Sequence, residues 1–133
     1  MRKPHEDWLG LAEDDWKFAA MGLREGFYTQ VCFHAQQSIE KSLKGFLVFR
    51  KKSYPKTHGL LELARLAPEL GLESLRESLA IIEDYYVPIR YPDAAAGMKA
   101  SGPPSQEEAA EALDTAKKVF EMVQDTIGGS LQT

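Results

Sequence analysis

The segment from Tyr28 to Lys52 reads YTQVCFHAQQSIEKSLKGFLVFRKK. Its apolar residues recur in steps of three and four with polar residues between them, which is the spacing of an amphipathic helix. The apolar positions are Val31, Cys32, Ala35, Ile39, Leu43, Phe46 and Leu47. The pattern predicts a long core helix that ends at about Lys52, because Tyr54-Pro55 prevents its continuation.

The opposite edge of this predicted helix carries Gln36, Glu40 and Lys44 at four-residue spacing. Glu40 precedes Lys44, the favourable order for an ion pair, and such a pair stabilises an exposed helix by about 0.2–0.5 kcal/mol. The spacing leaves two alternatives open. The edge either faces solvent, or it faces a partner and contributes to partner selection.

Four more helices are predicted from the same periodicity. The first runs from about Pro4 to Gly26, and a short helix capped by Thr57 carries the leucines of residues 60–66. A long helix follows over residues 72–88, where Pro88 ends it, and the last helix covers residues 105–129.

The ends of two predicted helices carry specific signals. Gly26 is typical of a left-handed cap, and Ser105 with Glu108 forms a capping box at the start of the last helix. Gly128-Gly129 is predicted to end that helix. No segment shows the alternation of a half-buried strand, so residues 1–133 are predicted to form a single all-α domain: an up-and-down antiparallel four-helix bundle with a short extra helix.

Charge and composition exclude several classes of protein. The 133 residues are 44% hydrophobic, which is ordinary for a globular chain, and their net charge of −4 argues against a generally basic nucleic-acid-binding protein. One cysteine excludes an internal disulfide framework. The first residues turn acidic before any apolar run, and no stretch is long and apolar enough to cross a membrane, so we expect a cytoplasmic protein.

The charges are unevenly distributed along the chain. Residues 41–56 contain six basic residues and no acidic residue: Lys41, Lys44, Arg50, Lys51, Lys52 and Lys56. Cations near the end of a helix complement its macrodipole, so this cluster has a structural interpretation as well as a ligand-binding one.

Common enzyme motifs are absent from the sequence. It has no Glu-x-x-His pair, no zinc-ligand spacing, no glycine-rich phosphate loop and no Gly-x-Ser-x-Gly turn. His5, His34 and His58 fall on three different elements, and each is expected to be a surface or capping residue. No metal or tightly bound cofactor is therefore predicted.

One remaining segment, YYVPIRYPD at residues 85–93, places Arg90 among tyrosines. Guanidinium suits phosphate or carboxylate, and a neighbouring aromatic ring stacks on a base or on the guanidinium itself. The alternative is a local Arg90–Asp93 ion pair that fixes the loop.

Five pieces of the sequence, in this order, resemble the HEPN domain family: AEDDW at 12–16, GFY at 26–28, CFHAQQSIEKSLK at 32–44, KTHGL at 56–60 and RYPD at 90–93. The resemblance implies a helical bundle that commonly forms homodimers and is often encoded beside a small nucleotidyltransferase, as in toxin–antitoxin systems. Many relatives are metal-independent ribonucleases with an arginine and a histidine that are separated by four to six intervening residues. Arg90 matches that arginine, but residues 95–97 read Ala-Ala-Gly.

The missing histidine decides between the functions that the resemblance implies. Cleavage of RNA through its 2′-hydroxyl needs a group that moves protons near neutral pH, usually an imidazole. The preferred hypothesis is therefore a nucleotide- or RNA-binding module with little catalysis, which pairs with a nucleotidyltransferase and takes a ligand such as ATP. Its predicted binding residues are Arg90, Tyr91, Asp93, Lys41, Lys44 and Lys56, and its predicted interface residues are Gln37 and Glu40. The alternatives are a ribonuclease toxin and a purely structural dimerising bundle.

Overall fold

The structure is a computed structural model, and it describes residues 3–54, 56, 57, 59–85 and 102–132, with side chains through residue 129. All regular elements within these ranges are helical, as predicted. The helices are α1 (Pro4–Glu25), α2 (Tyr28–Phe49), α3 (Leu60–Arg65), α4 (Arg76–Glu83) and α5 (Gln106–Gln132). Two 3₁₀ turns, Pro68–Leu70 and Leu72–Leu75, connect α3 to α4.

Helix α2 is the centre of the bundle. Its most extensive contacts are with α1, to which two residues connect it, and then with α5. Val31, Ile39, Leu43 and Phe46 are fully buried along it, because the apolar stripe predicted from the sequence faces α1, α5 and the shorter helices. Gly45 allows α1 and α2 to approach closely, since a Cβ atom at that position would lie 3.0 Å from Cβ of Trp8.

The first two long helices end in the same hydrogen-bond pattern. Gly26 adopts φ +83°, and the next amide, that of Phe27, donates to the carbonyl of Gly22, so the predicted left-handed cap is confirmed. Helix α2 ends at Phe49 rather than near Lys52, because Lys51 adopts the left-handed conformation, with φ +58°, that Gly26 adopts after α1. The amide of Lys52 then donates to the carbonyl of Leu47 at 2.9 Å.

The start of α5 is the predicted capping box. Ser105 N–H donates to Glu108 Oε1 at 3.0 Å, and Glu108 N–H donates to Ser105 Oγ at 3.1 Å. The predicted end at Gly128-Gly129 is wrong, because α5 continues to Gln132. A glycine inside a helix costs only about 0.5–1 kcal/mol relative to alanine, so it does not necessarily end one.

Two other predicted helices differ in their ends. Gly59, not Thr57, is the N-cap of α3, and Thr57 Oγ1 instead accepts a hydrogen bond from Gly59 N–H. Glu83 of α4 caps the start of α3 from outside that helix, since its Oε1 accepts a hydrogen bond from Leu61 N–H at 3.1 Å. The helix predicted over residues 72–88 begins as a 3₁₀ turn, and its α-helical part, α4, ends at Glu83, short of the predicted end at Pro88, which itself lies outside the described residues.

Candidate functional site

The edge of α2 formed by Gln36, Glu40 and Lys44 lies inside the protomer. Their exposed fractions are 0%, 6% and 8%, so the interpretation of this edge as solvent-facing is wrong. Lys44 Nζ donates to Glu40 Oε2 at 2.9 Å, and Gln36 Nε2 donates to Glu40 Oε1 at 3.4 Å. Gln37, half-buried, donates to Gln36 Oε1 at 2.6 Å. A role of Gln37 and Glu40 in an interface stays a prediction.

Two aromatic rings lie close to the ammonium group of Lys44. Its Nζ is 5.9 Å from the ring centre of Trp8 and 5.5 Å from that of Tyr54. The two rings meet edge to face, with their centres 6.2 Å apart. Each ring attracts the cation through its negative face, so the Lys44 ammonium is held by one carboxylate and two rings.

A second charged cluster joins α1 to α2. Asp15 Oδ2 accepts a hydrogen bond from Lys41 Nζ at 2.7 Å, and its Oδ1 lies 3.4 Å from His34 Nδ1. Ser38, which lies between His34 and Lys41 in the sequence of α2, donates a hydrogen bond from its Oγ to the carbonyl of Ala12 at 2.7 Å. Burial alone would raise the pKa of the Asp15 carboxyl, but the hydrogen bond with His34 and the hydrogen bond and charge of Lys41 hold it below its ordinary value.

The basic residues that follow the end of α2 are paired differently from those within the helix. Arg50 and Lys52 share one carboxylate, that of Glu69, at 3.8 Å and 3.0 Å. Hydrogen bonds from its own backbone N–H and from Lys52 lower the pKa of Glu69. Lys51 and Lys56 are exposed, and neither makes an ion pair with a carboxylate in the part of the chain that the structure describes.

The structure therefore separates the predicted binding residues. Lys41 and Lys44 are paired with two different carboxylates, whereas Lys56 is exposed. Arg90, Tyr91 and Asp93 lie outside the described residues.

Sequence reasoning did not identify Trp8, Tyr54 or Lys51 as candidate site residues. Trp8 and Tyr54 are distant in the sequence, so no local pattern associates them with Lys44. Lys51 takes a cap position that glycine usually occupies, and its residue type gave no signal of that conformation.

The histidines differ from their predicted surface or capping positions. His5 is buried and packs edge to face on Phe49, with the ring centres 5.0 Å apart. His34 is half-buried beside Phe18 and Phe33. His58 lies outside the described residues.

Metal clusters and membrane-spanning helices are both absent from the described residues. Among them, no three His, Cys, Asp or Glu side chains are arranged to hold a metal ion. None of the helices in the same ranges has the length and apolar character needed to span a membrane.

Comparisons with known proteins identify the family. Residues 5–126 match the HEPN domain family. The structure is similar to the crystal structure of TT1696 from Thermus thermophilus, with a TM-score of 0.79 and 35% identity over 93% of this chain and 98% of that one. It is also similar to ST0689, described as an archaeal HEPN homologue, with a TM-score of 0.75 and 28% identity over 95% of this chain and 99% of that one. No curated protein gives a significant match. With the family match covering most of its length, the chain belongs to the HEPN domain family.

Proposed function

We propose that this HEPN protein is the nucleotide- or RNA-binding member of a two-gene nucleotidyltransferase system of the toxin–antitoxin type, without strong catalysis of its own. The family membership supports the module, and the Ala-Ala-Gly sequence at 95–97 argues against a ribonuclease that depends on a histidine after Arg90. Arg90 is the residue that we expect to bind a phosphate, with Tyr91 and Asp93 beside it in the sequence.

The observation that carries the proposal is the unbalanced positive charge after α2. Four of the six basic residues between 41 and 56 pair with carboxylates, while Lys51 and Lys56 remain exposed without an ion pair among the described residues. Two exposed ammonium groups five residues apart attract the phosphates of a nucleotide or of an RNA backbone. A cation near the end of a helix complements its macrodipole, but this effect does not account for a lysine at the left-handed position itself.

The backbone conformation of Lys51 also supports a ligand-binding role. A non-glycine residue in the left-handed conformation costs about 1–2 kcal/mol, and strained residues of this kind cluster at functional sites. Glycine at this position would avoid the strain, as Gly26 does at the end of α1. Ligand binding is the role that we propose for a lysine held in this strained conformation.

Tyr54 lies between these two lysines in the sequence and is half-buried against Trp8 and Lys44. We propose that its ring stacks on a base while Lys51 and Lys56 bind phosphate, since stacking on aromatic rings contributes about 1–3 kcal/mol per base in single-strand binding. Lys44, which is neutralised by Glu40, orients the ring in this arrangement and does not bind phosphate directly.

Ligand binding is tested with ATP and with a short fluorescent single-stranded RNA, measured by titration against the wild type and two charge-reversal variants. Lys51→Glu/Lys56→Glu should weaken binding of both ligands by at least about tenfold, equivalent to about 1.4 kcal/mol. The matched control, Lys117→Glu/Lys118→Glu, makes the same change in charge at two exposed residues of α5 and should have a much smaller effect. Equal weakening in both variants, or no binding by the wild type, would contradict the proposed site.

Catalysis and partnership require separate measurements. Incubation with RNA should give little or no cleavage, whereas cleavage that disappears in Arg90→Ala would support the ribonuclease alternative. The partnership predicts that the chain co-purifies with the product of the neighbouring reading frame when the two are co-expressed. Failure of the two proteins to associate would refute the two-gene part of the proposal without affecting the ligand-binding part.

A further inference from the structure

The outward face of α1 carries exposed residues in steps of four, three, four, three and four. In chain order, the six residues are acidic, apolar, acidic, apolar, apolar and acidic. We call this set the α1 stripe: Asp7, Leu11, Asp14, Phe18, Met21 and Glu25. Such spacing places all six side chains on one side of a helix, and it is also the spacing of the contact seam between two packed helices.

An apolar groove of about 270 Å³ lies at the end of this stripe, where α1 turns into α2. Its apolar walls include Phe18, Met21 and Phe27, whose exposed fractions are 55%, 56% and 61%. Glu25 and Gln30 are the polar side chains at its rim. Leu11, which is 52% exposed, adds a further apolar side chain on the same side of α1, two turns before Phe18.

The size of this apolar surface limits what covers it. Four large side chains that are each more than half exposed form a patch of roughly 400 Å², within the range of the largest patches on single proteins, which are often functional. A stable dimer interface buries about 800 Å² on each partner. A little over half of such an interface is apolar, so the patch is adequate for a single inserted helix and also for a second copy of the chain, and charge decides between the two.

Charge argues against a second copy of the chain as the occupant. In an antiparallel pair of α1 helices, placing Phe18 opposite Met21 of the second copy places Asp14 opposite Glu25 of that copy. In a parallel pair, each acidic residue lies opposite its own counterpart. Either symmetrical arrangement brings like charges together at the contact, which is destabilising.

We propose that the α1 stripe docks a basic amphipathic helix of a different protein. Apolar residues of that helix, spaced by three and four, would pack on Leu11, Phe18 and Met21 and into the groove beside Phe27. Its lysine or arginine side chains would pair with Asp14 and Glu25. This surface does not include Lys51, Lys56 or Tyr54, so the inference goes beyond the proposed function and stands or fails separately from it.

The test uses two synthetic helical peptides of about three heptads with leucine at the seam positions. One carries lysine at the flanking positions and the other carries glutamate. Fluorescence anisotropy with the full chain should show binding of the lysine peptide and at least about tenfold weaker binding of the glutamate peptide. Phe18→Ser/Met21→Ser should abolish binding of the lysine peptide. Ile81→Ser, at another exposed apolar side chain on α4, is the control and should leave it unchanged.

A charge swap keeps the test independent of any effect on folding. Asp14→Lys/Glu25→Lys should weaken binding of the lysine peptide and strengthen binding of the glutamate peptide. The variant retains the apolar groove, so only the charges beside it differ. The proposal is overturned if the two peptides bind alike or if Ile81→Ser weakens binding as much as the change at Phe18 and Met21. It is also overturned if sedimentation shows a dimer that Phe18→Ser dissociates, because a second copy would then occupy the surface.

Discussion

The middle of α2 and the segment that follows the helix carry similar basic residues in opposite environments. Lys41 and Lys44 each have a carboxylate of their own, and their side chains are 25% and 10% exposed. Arg50 and Lys52 share Glu69, and Lys51 and Lys56 are exposed without an ion pair among the described residues. A single basic run in the sequence is therefore two regions in the structure: the first is paired within the helical bundle, and the second lies at the surface, where two of its four residues share a carboxylate.

The difference between the regions is energetic as well as geometric. A buried charge that loses its partner is destabilising by about 3–5 kcal/mol, because the remaining charge is left without solvation. An exposed ion pair contributes about 0–1 kcal/mol, because water solvates both partners when they separate. Substitutions in the middle of α2 should therefore change stability, and substitutions after it should mainly change ligand binding.

The largest effect is expected for Lys44→Met. The variant keeps most of the apolar stem of the side chain but leaves the Glu40 carboxylate, 6% exposed, without its ammonium partner. We expect the free energy of unfolding to fall by about 3–5 kcal/mol, measured by urea denaturation at pH 7.

The double variant Lys44→Met/Glu40→Gln is the matched control for this prediction. It removes the second charge as well, so stability should recover most of the loss. If the double variant is as unstable as the single one, the packing of the lysine stem between Trp8 and Tyr54, and not the charge, would account for the loss.

A smaller effect is expected for Asp15→Asn. This change removes the charge that binds Lys41 at 2.7 Å, and a hydrogen bond to a charged group contributes about 1.5–3 kcal/mol. Because the folded-state pKa of Asp15 lies below its unfolded value of about 3.9, the stabilisation is complete above about pH 5 and is lost as the pH falls through the folded pKa.

The pH dependence distinguishes this role from simple packing. The difference in unfolding free energy between wild type and Asp15→Asn should narrow as the pH falls below about 5 and the Asp15 carboxylate becomes protonated. A gap that is unchanged down to pH 3 would show that Asp15 acts through its shape and not through its charge.

Local rules in the sequence predicted much of this fold. The 3–4 spacing identified α2, the Ser105–Glu108 box located the start of α5, and Gly26 located the end of α1. Each of these signals depends on residues within one turn of a helix. The HEPN resemblance predicted the family that the comparisons confirm.

The burial of Gln36, Glu40 and Lys44 was not predictable from spacing, because a polar edge of an amphipathic helix usually faces water. The two aromatic rings that contact Lys44 come from distant parts of the chain: Trp8 lies before α2, and Tyr54 lies after it. The Asp15–Lys41 pair is likewise 26 residues apart and depends on the packing of α1 against α2. The predicted binding role of Arg90, Tyr91 and Asp93 depends on the resemblance and on local composition. These three residues lie outside the described residues.

The smallest effect on stability, and the one that best separates the two regions, is expected for Lys51→Gly. Glycine relieves the left-handed conformation at φ +58° and should raise the free energy of unfolding by about 0.5–1 kcal/mol, after allowance for the greater flexibility of glycine in the unfolded chain.

The same variant should bind ATP more weakly than wild type, because it lacks one of the two exposed ammonium groups. Gly26→Lys is the matched control: it places a lysine at the equivalent position after α1, at φ +83°, and should lose about 1 kcal/mol of stability without weakening ATP binding. A Lys51→Gly variant that is more stable and binds ATP as well as wild type would mean that the strain at Lys51 serves no ligand. A variant that is more stable and binds more weakly would show that stability is given up at this position in favour of binding.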